Sequence, residues 1–384
     1  MVLRPSKSRC ACCACSNLLV LLFLTAASSL GESSSTGDGI GQPIYTVQPI
    51  QGLRRTLPFV TSSIVTPPIW TGQFTYKMPS GGLRAFRYQM VGTNPWAGSA
   101  STIVPVDIIP IALIFSNGAS LDGASRVAST IASPIFQPFA SEAGFTQFGD
   151  AVLRASFYDV VEKASPDWHV TLSHPAVLPT LNITVPPEFG FEFTGSVSGV
   201  PIGLVNMDWF SKQLRNLLTM VNPDPRGLSI FLTYNAFLFS GTPDKCCVIG
   251  LHSAVASPGP GNTQNVNTFV WASHNDAQIF SVPLEDITAL SHEVAEWYSD
   301  PLVNNVVPAW VQPGSSACFS NLLEVGDAIE SFPNLSFRVL LNGSEYHPQD
   351  VALFSWFARQ LPSIGLKGRY SYRGGKLLSV APHC

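Results

Sequence analysis

One stretch of this sequence sets ligand-type and proton-transfer side chains at a spacing that chemistry can use: His292-Glu293-Val294-Ala295-Glu296. On an α-helix, residues four apart stand one above the other on the same face, so His292 and Glu296 present an imidazole nitrogen and a carboxylate oxygen to one point. Such a pair can hold one divalent cation. Glu293, beside the first ligand, is placed to address a water on that cation, and Asp300 continues the row one turn later. This is the arrangement of the His-Glu-x-x-His metallopeptidase helix with Glu in place of the second His. The replacement has a chemical cost. A carboxylate in place of the second imidazole puts a negative charge on the ion, which makes it a weaker Lewis acid than a two-His pair and admits harder ions than zinc.

A helix has to carry this row, and LEDITALSHEVAEWYSDP, residues 284–301, predicts one. Asp286 is its expected cap and Pro301 ends it at Asp300. Ile287, Leu290, Val294 and Trp297 form an apolar stripe toward a core. Before it, residues 71 to about 118 are strand-like. TGQFTYKM alternates, and STIVPVDIIPIALIF is a β-branched run whose prolines suit edge or bulged strands. A short helix is expected over 121–132. A longer one over 141–162 carries Phe145, Phe148, Val152 and Ala155 at helical spacing. WHVTLSH and NITVPP read as short strands, LSIFLTYNAFLFSG (228–241) as one buried central strand, and CCVIGLHSA as a second. After a Pro/Gly/Asn loop over 257–267, NTFVWASHN is polar enough to lie at an edge. This order predicts an α+β domain.

Composition narrows the function classes. Only 12% of the 384 residues are charged and the net charge is −4. No basic stripe exists to neutralise phosphates, which excludes a nucleic-acid binder. The only long apolar run is N-terminal, which excludes a polytopic membrane protein. Arg4, Lys7 and Arg9 precede Leu18–Leu24, and small residues follow, so residues 1–30 read as a secretory signal peptide cut near 26–31. Cleavage takes away those three cations and no acid, moving the net charge from −4 to −7, and leaves no stable membrane anchor. Residues 31–70 read as a flexible Ser/Gly/Pro-rich segment, and 71–384 as one domain with a β-rich part (about 71–140) and a metal-site part (about 141–384).

Cys10, Cys12, Cys13 and Cys15 leave with the signal. Cys246, Cys247, Cys318 and Cys384 remain as disulfide candidates in an oxidising compartment, with three possible pairings. Neighbouring cysteines rarely bond each other, so Cys246 and Cys247 are expected to take different partners among Cys318 and Cys384. No G-x-S-x-G elbow or phosphate-binding glycine loop is present. His252, on an apolar strand, reads as a satisfied core or cleft residue and His274 as a surface-loop residue. His169, His174 and His383 carry no spacing signal.

LSHEVAEWYSDP followed about 20 residues later by NLLEVGD resembles a group of secreted zincin-like proteins that includes the plant phosphate-induced (Exordium-like) proteins and bacterial relatives. The CCVIGLHSA strand is similar as well, and the resemblance covers roughly residues 228–384. It implies a zincin-like mixed β-sheet with a backing helix and an active-site helix, one divalent metal with zinc as the default, and hydrolysis of a peptide or protein substrate. Carried onto this chain, it makes His292 and Glu296 metal ligands, Glu293 the general base and Glu324 the third ligand. Asp327 becomes a group that orients His292 or Glu324. Asp300 and His347 stand as rivals for the third ligand. The resemblance also implies that the strand before the helix, near 267–274, pairs with the substrate main chain.

Overall fold

The structure, a computed structural model, describes Asp38 and residues 64–384 other than Asn262. The expected signal segment, its four cysteines and nearly all of 31–63 lie outside the described residues. The first elements are β1 (Ile64–Val65) and the hairpin of β2 (Ile69–Lys77) and β3 (Leu83–Val91), whose Trp70, Phe86 and Tyr88 turn inward. In the β-branched run that follows, Pro105 separates β4 (Ser101–Val104) from β5 (Val106–Ile114).

The prolines suggested an edge or bulged strand, and β5 lies inside the main sheet. Proline has no N–H to give a ladder, and Pro110 falls where β5 changes neighbours on both sides. On one side β10 (Ala176–Val177) pairs as far as Ile108, and β11 (Leu181–Thr184) from Ile111. On the other, the register with β14 (Leu228–Tyr234) ends at Pro110, and β6 (Ser120–Asp122) pairs from Ala112.

Residues 121–132 give a 3-10 turn at Gly123–Arg126 and then α1 (Val127–Ile131). The helix expected over 141–162 starts later. A small hairpin of β7 (Phe139–Ser141) and β8 (Gly144–Thr146) comes first, turned at Gly144 (φ +127°), and Phe145 is 71% exposed there. Phe148, Val152 and Ala155 are buried on α2 (Phe148–Ser156), which Phe157 separates from α3 (Tyr158–Ala164). Strand β9 (His169–Leu172) then pairs with β4.

The expected central strand over 228–241 is two strands. Asn235 takes the left-handed conformation (φ +44°) that asparagine tolerates, and after it the chain leaves the main sheet. β15 (Ala236–Phe239) pairs instead with β13 (Pro201–Asn206) and β16 (Cys246–Val248), in a four-stranded sheet completed by β12 (Gly190–Thr194). CCVIGLHSA is likewise shared: β16 belongs to that sheet and β17 (Gly250–Pro258) to the main one.

The edge assignment is reversed. β18 (Gln264–His274) is flanked by β14 and β17, whereas β17 pairs, among the described residues, with β18 alone. The polar residues of β18 are tolerated inside because they are bonded. Thr268 Oγ1 accepts from Trp297 Nε1 at 2.9 Å and Ser273 Oγ from the Ala236 N–H at 3.0 Å.

The main sheet is mixed. β1, β14, β18, β5, β10 and β11 join in parallel, while β6 and β17 are antiparallel. Parallel neighbours need long crossovers, and α1 to α3 lie in the one from β5 to β14, as does α4 (Met207–Val221). No α-helix separates β14 from β18 or β1 from β5, so helix and strand are mixed without regular alternation, and both parts of the 71–384 region contribute strands to the main sheet. Side chains alternate between its two faces. Phe231, Phe269 and Trp271 pack with Phe210, Leu214 and Leu218 of α4. Ile230, Leu232 and Val270 pack with Phe148 and Val152 of α2 and with Leu290 and Val294 of α5 (Thr288–Ser299). At about 1.5–3 kcal/mol for each fully buried large side chain, this second face supplies the main term holding α5 in place.

Every residue of α5 is buried, not only the expected stripe. Its cap position is Ile287, not Asp286. Asp286 sits one residue earlier at φ +45° and accepts from the Ile287 N–H, from the His347 N–H at 3.0 Å and from His347 Nδ1 at 2.7 Å. After α5 come the hairpins of β19 (Val306–Val311) with β20 (Cys318–Leu322) and of β21 (Val339–Leu341) with β22 (Ser344–Tyr346), then α6 (Phe354–Phe357).

The disulfide pairing differs from expectation. Val311 pairs with Cys318 while its neighbour Trp310 bridges to His383, so β19 brings Cys318 and Cys384 together and they bond, with Cα atoms 5.3 Å apart. The other two, buried on β16, bond to each other as Cys246–Cys247.

Candidate metal centre

Three pieces of chain converge behind the edge of the main sheet. α5 supplies His292, Glu293 and Glu296. β17 supplies His252, which shares a face with Gly250 because strand side chains alternate, while Leu251 between them packs into the opposite layer. The segment after β20 supplies Glu324 and Asp327. All six side chains are closed off from solvent, with exposures between 0% and 3%.

Two glycines make the approach possible. A Cβ on Gly250 would stand 2.6 Å from Glu293 Oε1, and one on Gly326 would stand 2.4 Å from His292 Nδ1. The 322–327 segment is fastened to the helix by backbone donors: the N–H groups of Gly326 and Asp327 give to Glu296 Oε1 at 3.0 and 3.3 Å. Gln349 Nε2 gives to the Gly326 carbonyl at 2.9 Å.

The i,i+4 pair is in contact, with His292 Nε2 3.2 Å from Glu296 Oε1, and Asp327 Oδ1 lies 3.6 Å from the same nitrogen. His252 Nδ1 lies 3.2 Å from Glu293 Oε2 and 3.4 Å from Glu296 Oε2. Two trios result whose donor atoms all lie within 4.8 Å of one another: His292, Glu296 and Asp327, and His252, Glu293 and Glu296. Glu324 belongs to neither trio and stands beside them, its Oε2 3.9 Å from His252 Nε2. Asp300 is engaged elsewhere, accepting from the N–H groups of Asn304 (2.9 Å) and Asn305 (3.1 Å), which shapes the turn after α5.

The electrostatics follow from burial. Glu324 and Asp327 are pushed well above the usual carboxylate range, first by desolvation and then by the charge of Glu296. Burial raises Glu293 too, against its hydrogen bond with His252, and raises Asp300 to about 7. Glu296 is the exception: burial opposes its charge, but His292 and His252 outweigh that and hold it well below the ordinary value. Burial disfavours the charged form of both imidazoles. The carboxylates overcome it, lifting His292 to about 8 and His252 well above 6.5. Both oxygens of Glu324, Asp327 Oδ1, Glu296 Oε2 and His252 Nε2 have no hydrogen-bond partner among the described residues.

The remaining histidines stay outside. His347 sits at the start of α5 with Asp286, Glu285 (3.4 Å) and Glu345 (3.0 Å). His274 is buried at the end of β18, not on a surface loop, and burial lowers it to about 4. His169 pairs with buried Asp150 at 2.6 Å, and His383 meets the Tyr76 hydroxyl at 3.0 Å. His252 is the residue that sequence reading passed over. The signal for it was the Gly-Leu-His alternation on a strand, which puts a small residue and an imidazole on one face.

No family model, curated protein or solved structure matches this chain.

Proposed function

We propose that this chain is an exported, zincin-like, metal-dependent hydrolase that cleaves peptide bonds. The observation that carries the reading is the convergence of His292, Glu296 and Asp327 within 4.8 Å in a buried site. Imidazole and carboxylate donors of this kind suit zinc and harder divalent ions. The unpartnered oxygens of Glu324 and Asp327 fit a cation, because a buried polar atom without a partner costs about 1–3 kcal/mol. His292, Glu296 and Asp327 would hold the ion, with Glu324 as a further donor beside them. A cation there supplies Lewis acidity toward a carbonyl and makes a nearby water easier to deprotonate. Glu293 takes the proton from that water and returns it to the leaving amine. His252, 3.2 Å from Glu293 Oε2, orients the carboxylate, and Gly250 leaves room for it. The strand that a substrate main chain would pair with is β17, the edge, rather than β18.

Glu293→Gln keeps size and loses the base. The variant is expected to fold and to retain the ion on His292, while peptide cleavage falls by about 10²–10⁴. An unchanged rate sinks the assignment of Glu293 as base. A second reading, a non-enzymatic exported protein with a structural ion, is favoured by the burial of all six side chains, since structural sites are closed. An ion-loaded wild type that cleaves nothing in a broad peptide library decides for that reading.

A further inference from the structure

Glu296 divides its two oxygens between two imidazoles. Oε1 lies 3.2 Å from His292 Nε2, and Oε2 lies 3.4 Å from His252 Nδ1. Each imidazole has its own further carboxylate: Asp327 at 3.6 Å from His292, and Glu293 at 3.2 Å from His252. The two trios have only Glu296 in common, which is the position of a carboxylate that bridges two ions. Bridged ions of this kind stand about 3.5–4 Å apart.

Charge points the same way. Glu293, Glu296, Glu324 and Asp327 are four carboxylates against two imidazoles, at most 3% exposed. Ionised as ligands, they carry four negative charges, of which one divalent cation balances two and two cations balance all four. Glu296 adds an independent sign. Its Oε2, buried and without a hydrogen-bond partner among the described residues, faces His252 Nδ1 at 3.4 Å. An oxygen left open on the His252 side is not explained by an ion held through Oε1 with His292 and Asp327.

We propose that His252, Glu293 and Glu296 form a second divalent-cation site that shares Glu296 with the first. The proposal rests on the metal reading above for the first ion and adds the second from different residues. It also has a consequence for the reaction: Glu293 serves the second ion or a proton, not both, so filling this site withdraws the base.

The test is a count. Full chain, freed of metal with a chelator, is brought to equilibrium dialysis against Zn²⁺ and bound metal is measured by mass spectrometry. Two zinc ions per chain are expected. One ion per chain overturns the second site and leaves the first. No bound ion overturns the metal reading itself. His252→Ala is expected to lower the count from two to one, as is His292→Ala, and His347→Ala to leave it at two. A count of two in His252→Ala, or of one in His347→Ala, places the second ion elsewhere and overturns the proposal. Because the wild-type count needs no variant, a variant that fails to fold does not shelter it. Manganese gives a second readout on wild type: exchange-coupled Mn²⁺ in electron paramagnetic resonance supports the shared carboxylate, and isolated Mn²⁺ signals overturn it.

Discussion

Asp350 and Asp150 are fully buried carboxylates, and the chain gives each a complete set of donors. Asp350 takes Lys376 Nζ at 2.8 Å and the N–H groups of Val351 and Arg373 at 2.9 Å each. Asp150 takes the Thr146 hydroxyl at 2.7 Å, the Val170 N–H at 2.6 Å and His169 Nδ1 at 2.6 Å. Glu324 and Asp327 are as deeply buried, yet Glu324 has neither oxygen hydrogen-bonded and Asp327 lacks a partner for Oδ1, among the described residues. Where a buried carboxylate is structural, this fold supplies its hydrogen bonds from nearby chain. Beside α5 it does not, and the difference is what a cation from solution would fill.

The largest test of that contrast is removal of the ion. A ligand that binds only the folded state stabilises by about 4 kcal/mol when present at about 1,000 times its Kd. A chelator is therefore expected to lower the melting temperature measured by calorimetry, and excess Zn²⁺ to restore it. An identical melting temperature with and without chelator would erase the distinction between the two regions.

Asp350→Ala probes the other region. It leaves the partly buried Lys376 ammonium without its partner and the Val351 and Arg373 N–H groups without their acceptor, for an expected loss of about 3 kcal/mol in urea unfolding. Metal content should stay unchanged. If metal is lost together with stability, the two regions are not independent.

Gly326→Ala presses a methyl group against the His292 ring, 2.4 Å from Nδ1. Overpacking of this kind costs about 1–3 kcal/mol, and metal content should fall with it because the ring must move. A variant with full metal content would show that the His292 ring is not held where the structure places it.

The smallest effect concerns His347. Its hydrogen bond with Asp286 raises its pKa, with burial opposing. A raised imidazole contributes stability that is complete below the unfolded value of about 6.5 and is lost as pH rises through the folded value above it. Melting temperature should therefore decline more on going from pH 6 to pH 9 in wild type than in His347→Gln. Parallel curves would show that the Asp286–His347 pair contributes nothing to folding.

Local spacing made part of this protein legible in its sequence. The α5 helix, its end at Asp300-Pro301 and the contact of His292 with Glu296 follow from a period of 3.6 residues, which needs no knowledge of neighbours. The glycines and prolines of 257–267 likewise marked the turn between β17 and β18. Partners distant in the chain were not legible. His252 is 40 positions before His292, and only the antiparallel pairing of β17 with β18 turns its ring toward α5. The polarity of β18 suggested an edge because the sequence does not say that Thr268 and Ser273 find donors inside. The run 228–241 read as one strand because nothing local distinguishes Asn235 in a strand from Asn235 at a left-handed break between two sheets. Cysteine pairing was open for the same reason, since the bridge from β19 to His383 that brings the C-terminus to Cys318 is a long-range contact. Sequence by itself determined which side chains could share a helix face, because covalent geometry fixes that. Tertiary structure decided which other groups meet that face, because sheet register and burial join residues across long stretches of chain.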